Sequence, residues 1–108
     1  MSATERKGGV STLHVEGELS IYQATELKQA WAAALEQPGP LEIDLSNVSE
    51  MDSAGVQLLL ATKQAAIGQG REFQVTGYSA AVLDVLEMLN LSAYFDAPAV
   101  ISSSASSH

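Results

Sequence analysis

The chain is 108 residues long, 46% hydrophobic and only 17% charged, enough apolar material for one core and an argument against wholesale disorder. Thirteen acidic side chains against five basic ones leave a net charge of −8, which argues against electrostatic binding to nucleic acid or to an anionic membrane surface. No cysteine is present, so disulfides, thiolate metal sites and cysteine nucleophiles are excluded.

The opening "MSATERKGGV" lacks the apolar segment of a secretory signal. Residues 3–8 give a weak strand signal, with Gly8-Gly9 as its turn. "TLHVEGEL" (12–19) alternates, Leu13 and Val15 against His14, Glu16 and Glu18, as a half-buried strand does. Ser20 is placed to cap a helix whose Ala24, Leu27, Trp31 and Leu35 share one face. Gln37-Pro38-Gly39-Pro40 ends that helix, because neither Pro nor Gly continues it cheaply. "LEIDLSNV" (41–48) alternates again and reads as a strand. Val56, Leu59, Leu60, Lys63 and Ile67 mark a second helix over 54–68, stopped by the glycines of "GQGR". "EFQVTG" (72–77) is a third strand with Phe73 and Val75 on one face. "YSAAVLDVLEMLNL" is a third helix, with Ser79 as its cap and Val82, Val85, Leu86 and Leu89 as its stripe. Leu83 and Met88 fall off that stripe and read as core or edge packing, though an exposed Leu83 would suit a partner-binding face. "SAYFDAPAVI" is expected to add a turn and a short strand, and "SSSASSH" to be a disordered Ser-rich tail.

Strands alternating with helices in this order imply right-handed crossovers onto a mainly parallel α/β sheet. An antiparallel strand at the N-terminal edge makes the sheet mixed, with four or five strands. One domain over 1–100 and a tail over 101–108 are expected. The longest apolar runs are far short of a membrane span, so the expected location is the cytoplasm.

Ligands of open α/β sheets sit beyond the carboxyl ends of the strands, which points to the loop 46–55. Asp52, Ser53 and Gly55 stand there at a helix start. The ordinary meaning of such a run is a cap. A phosphate on Ser53 would also face free N–H groups and the positive end of the helix dipole. Enzyme chemistry finds little support. His14 lies on a strand, His108 is the last residue, and no "GxSxG" elbow exists. Glu42, Asp44, Glu50 and Asp52 invite a metal or phospho-aspartate interpretation, but Asp44 alternates outward within its strand. The late lysine of a phospho-accepting receiver is missing, Lys63 being the last. Neither "GxxxxGK[ST]" nor "GxGxxG" occurs, so no catalytic residue, metal or cofactor is assigned.

Four segments, "VEGELS", "LEIDLSNVSEMDSAGVQLLL", "GREFQVTGYSAAVLDVLEMLNL" and "LSAYF", together resemble the STAS domain family, the bacterial anti-sigma factor antagonists and their relatives. The likeness spans about residues 12–95. It implies a mixed sheet flanked by helices and a switch without catalysis. In that switch the unmodified domain binds a serine kinase that is also an anti-sigma factor, and phosphorylation of the serine after the loop aspartate ends the complex. Carried over, the acceptor is Ser53, and Ser20, Asp52, Ala54 and Gly55 border it on the partner-binding face. Phospho-switch members usually carry Asp where this chain has Ser20, and many carry Ser or Thr where it has Ala54. "DSAG" also resembles single-domain relatives that are scaffolds in chemotaxis or two-component systems, or subunits of a lipid-trafficking ABC transporter docked on its ATPase.

Overall fold

The computed structural model describes residues 2–95, and the expected closing strand and Ser-rich tail lie outside that range. The elements run β1 (Ser2–Lys7), β2 (Val10–Leu19), α1 (Ile21–Leu35), β3 (Leu41–Met51), α2 (Ser53–Gly68), β4 (Phe73–Tyr78) and α3 (Ala80–Met88). Their order in the sheet is β1-β2-β3-β4. β1 pairs antiparallel with β2, whereas β2–β3 and β3–β4 are parallel. The mixed α/β sheet is therefore present, and the weak N-terminal signal is its edge strand.

β1 and β2 meet through a tight hairpin in which Lys7 faces Val10. Gly8 and Gly9 both take positive φ, 60° and 83°, the backbone that a two-residue turn between twisted strands requires. Leu13, Val15, Leu41, Ile43, Leu45 and Val75 project from one side of the sheet and are buried. Leu27 and Trp31 of α1, Val56 and Leu59 of α2, and Val82 and Leu86 of α3 close over them. Thr12, His14, Glu42 and Asp44 alternate with the core residues and are only half-buried, and Gln74 and Thr76 are exposed.

β3 runs three residues beyond the expected end. Its register with β2 shifts between His14 and Glu16 and again between Gly17 and Glu18, yet pairing continues to Leu19 opposite Met51. Past Leu45 the buried positions are Val48 and Met51, so strict alternation is lost and a period-two pattern cannot mark the strand's end. Two helix stripes are narrower than their spacing suggests. Ile67 and Leu89 stay largely in solvent, at the C-terminal ends of their helices. Leu83 is half-buried, and the more open of the two off-stripe residues is Met88.

Candidate functional site

α2 starts at Ser53, directly after β3, with Asp52 as its N-cap. One Asp52 carboxylate oxygen accepts the Gly55 N–H at 3.1 Å, as a cap should. The other accepts the Ile21 N–H, also at 3.1 Å, at the start of α1. The Asp52 N–H donates to the Leu19 carbonyl at 3.3 Å. A single carboxylate thus serves the starts of two helices, and the backbone N–H of the same residue ties it to the end of β2.

Ser20 holds the N-cap position of α1 but does not cap it with its side chain. Its hydroxyl donates to Glu18 Oε1 at 3.2 Å. The ionised Asp52 acceptor serves instead, and charge-assisted bonds to backbone N–H groups are the stronger kind. No local pattern could reveal this, because the donor and acceptor are 31 residues apart. Ser79 does cap α3, accepting the Val82 N–H at 3.2 Å.

Ser53 is exposed at the first turn of α2, where backbone N–H groups lack helical partners. Ala54 and Asp52 beside it are half-buried, while Gly55 and Ser20 are buried. The five residues expected at the site are therefore neighbours along one seam, and Ser53 is the most open of them. Gly55 is not there for an unusual dihedral. A Cβ at that position would run into the Leu19 carbonyl oxygen, with Leu19 Cγ at 2.9 Å.

The Ile21 N–H holds the Asp52 carboxyl below its ordinary pKa; desolvation pulls the other way, and the N–H groups of Gly55 and Ala54 add to the lowering. A carboxyl depressed by folding stabilises the protein above its unfolded pKa and loses that contribution as pH falls through the folded value. The Tm difference between wild type and Asp52→Asn is therefore expected to be full at neutral pH. It should shrink as the pH falls through and below the ordinary carboxylate range, which thermal unfolding at a series of acid pH values would measure. A constant difference would show that Asp52 is not an ionised cap.

Asp44 does not assemble with Asp52. Asp44 accepts the Ser46 hydroxyl at 2.6 Å and the Ser46 N–H at 3.0 Å, which lowers its pKa, and it meets His14 Nδ1 at 3.3 Å. His14 Nε2 lies 3.1 Å from Glu5, chiefly the contact that raises the imidazole pKa. Both ring nitrogens are engaged on the sheet's polar side, so His14 does not serve as a base for Ser53. Among the described residues no cluster of three or more His, Cys, Asp or Glu is placed to hold a metal ion.

A family model described as "Mlab, STAS domain" matches residues 2–100. The chain belongs to the STAS domain family. This STAS domain is 31% identical over 88 residues to the anti-sigma-F factor antagonist RsfB of Mycobacterium tuberculosis, covering 81% of this chain and 71% of that one. It is 26% identical over 84 residues to the anti-sigma-B factor antagonist of Bacillus subtilis, covering 78% and 77%. The crystal structure of an anti-sigma factor antagonist from Mycobacterium paratuberculosis superposes with a TM-score of 0.79 at 29% identity, covering 94% of this chain and 86% of that one.

Sequence reasoning missed what surrounds Ser53 in this STAS domain. Ile21 and Tyr22, the first two residues of α1, are 64% and 87% exposed. Glu18 and Glu50 are exposed and face each other across the β2–β3 pair. Ile21 lies three residues before Ala24, in step with the α1 stripe, so spacing alone would bury it, and Tyr22 falls off that stripe. Chemically, the seam offers a nucleophilic hydroxyl on the surface with no side-chain base assigned to it. Among the described residues no helix is long and apolar enough to cross a membrane.

Proposed function

We propose that this STAS domain is a non-catalytic docking module of the anti-sigma factor antagonist kind. Its partner is a serine kinase that is also an anti-sigma factor, and phosphorylation of Ser53 ends the complex. The observation that carries this is the exposed Ser53 hydroxyl at the first turn of α2, inside a chain similar along most of its length to proteins named anti-sigma factor antagonists. A phosphate there faces the positive end of α2 from the surface, so the fold tolerates it. At the centre of a docked face the same group adds nearly two negative charges that are desolvated and poorly paired. Buried Ser20 and Gly55 shape this face, and Asp52, Ser53 and Ala54 present it. The working unit is residues 1–100, acting in the cytoplasm with its partner.

Incubation with the cognate kinase and ATP, followed by peptide mass spectrometry, is expected to place one phosphate on Ser53. Ser53→Ala is expected to stay unmodified and to remain bound to the kinase. Phosphate found only on other residues would overturn the switch.

The buried Ser20, whose hydroxyl is taken up by Glu18, favours a second reading. In it the same face docks constitutively, as a subunit on the ATPase of a lipid-trafficking ABC transporter or as a chemotaxis-associated scaffold. Ser53 is then an interface residue that no kinase modifies.

A further inference from the structure

We infer that Tyr22, with Ile21 beside it, is the anchor of the docking face, and that the partner surface it enters is an apolar pocket rimmed by lysine or arginine side chains. This rests on the proposed docking at Ser53 and names the chemistry of the partner. Tyr22 is 87% exposed and Ile21 64% exposed. Large apolar side chains so open are unusual on the first turn of a helix, where polar residues normally sit. Their backbone is fixed at the start of α1. The Ile21 N–H is bound to Asp52, the residue before Ser53, so the anchor and the modification site share one support. A tyrosine side chain has only two rotatable bonds to immobilise on binding, and tyrosine is among the residues that dominate interface energetics.

The rim decides what kind of partner fits. Glu18 and Glu50 stand opposite each other in register on adjacent parallel strands, an arrangement that like charge disfavours. Both are exposed at the carboxyl end of the sheet, next to the strand ends from which α1 and α2 start. The whole chain carries −8, so a second copy of it is a poor occupant on charge grounds. A basic rim on the partner would relieve the Glu18–Glu50 repulsion and speed encounter, while the pocket would hold the aromatic ring.

The test uses the purified cognate serine kinase and measures association and dissociation by surface plasmon resonance at two salt concentrations. Tyr22→Ala is expected to weaken binding at least about tenfold, mainly by faster dissociation. The double variant Glu18→Gln, Glu50→Gln is expected to slow association at low salt and to flatten the salt dependence. Circular dichroism should show both variants folded, since all three side chains are exposed. Tyr22→Ala binding within about twofold of wild type, with Ser53 still phosphorylated, would overturn the anchor and leave the switch standing. Loss of binding in Tyr22→Ala while wild-type Ser53 is never phosphorylated would keep the anchor and overturn the switch. Faster association of the double variant would overturn the basic rim. No binding by the wild-type chain would overturn both proposals.

Discussion

Gly55→Ala is expected to lower the thermal midpoint by roughly 5 to 15 °C, the effect of an overpacking penalty of about 1–3 kcal/mol on a domain of this size. The direction is opposite to the usual rule. Alanine inside a helix is normally better than glycine by about 0.5–1 kcal/mol, through lower unfolded-state entropy. Here the added methyl meets the carbonyl oxygen of Leu19, with the Leu19 carbonyl carbon at 3.0 Å. Backbone atoms cannot rotate away as a side-chain tip can. That carbonyl also accepts the Asp52 N–H, so any shift that makes room disturbs the cap shared by α1 and α2. Gly68 is the internal control. It lies in the last turn of the same helix, and an added methyl there would have nothing within 4 Å, so Gly68→Ala should be neutral or slightly stabilising. Differential scanning calorimetry of the two variants decides the matter. A Gly55→Ala midpoint equal to or above wild type would mean that β2 and α2 have room to separate at no cost.

Why some of this was legible in the sequence and some was not follows from the range of each signal. The alternation of Leu41, Ile43 and Leu45 depends on one strand facing one core, a local property, and the buried set matches it. Leu27 and Trp31 likewise reach the core from the helix face their spacing defines. The position of Ser53 at a helix start was readable because caps and apolar stripes are contiguous in sequence. The second role of Asp52 was not, since it depends on α1 beginning beside the end of β3. The openness of Tyr22 was hidden for a related reason. It falls off the stripe of α1, and whether it is covered depends on elements far away in the chain. Ile67 and Leu89 continue helical spacing into the exposed C-terminal ends of α2 and α3, so periodicity alone overstates the core.

Ser53→Asp is expected to leave the fold intact and to weaken partner binding by at least about tenfold, which is about 1.4 kcal/mol. Two electrostatic effects oppose each other in the free protein. A carboxylate in the first turn of α2 gains about 0.3–1 kcal/mol from the helix dipole. The adjacent Asp52 carboxylate, already ionised and holding two N–H groups, repels it. The exposure of Ser53 keeps both contributions small, so Tm should stay within a few degrees of wild type, on the scale of about 4–8 °C per kcal/mol for a small domain. In the proposed complex the balance changes, because a charge placed at residue 53 would be removed from water and its desolvation would count against binding. Stability and affinity are thus expected to separate, and this separation distinguishes a surface switch from a damaged fold. Ser53→Asn, similar in size but uncharged, should bind more tightly than Ser53→Asp. If Ser53→Asp and Ser53→Asn weakened binding equally, shape rather than charge would control the face. Equal binding of Ser53→Asp and wild type would remove residue 53 from the interface altogether.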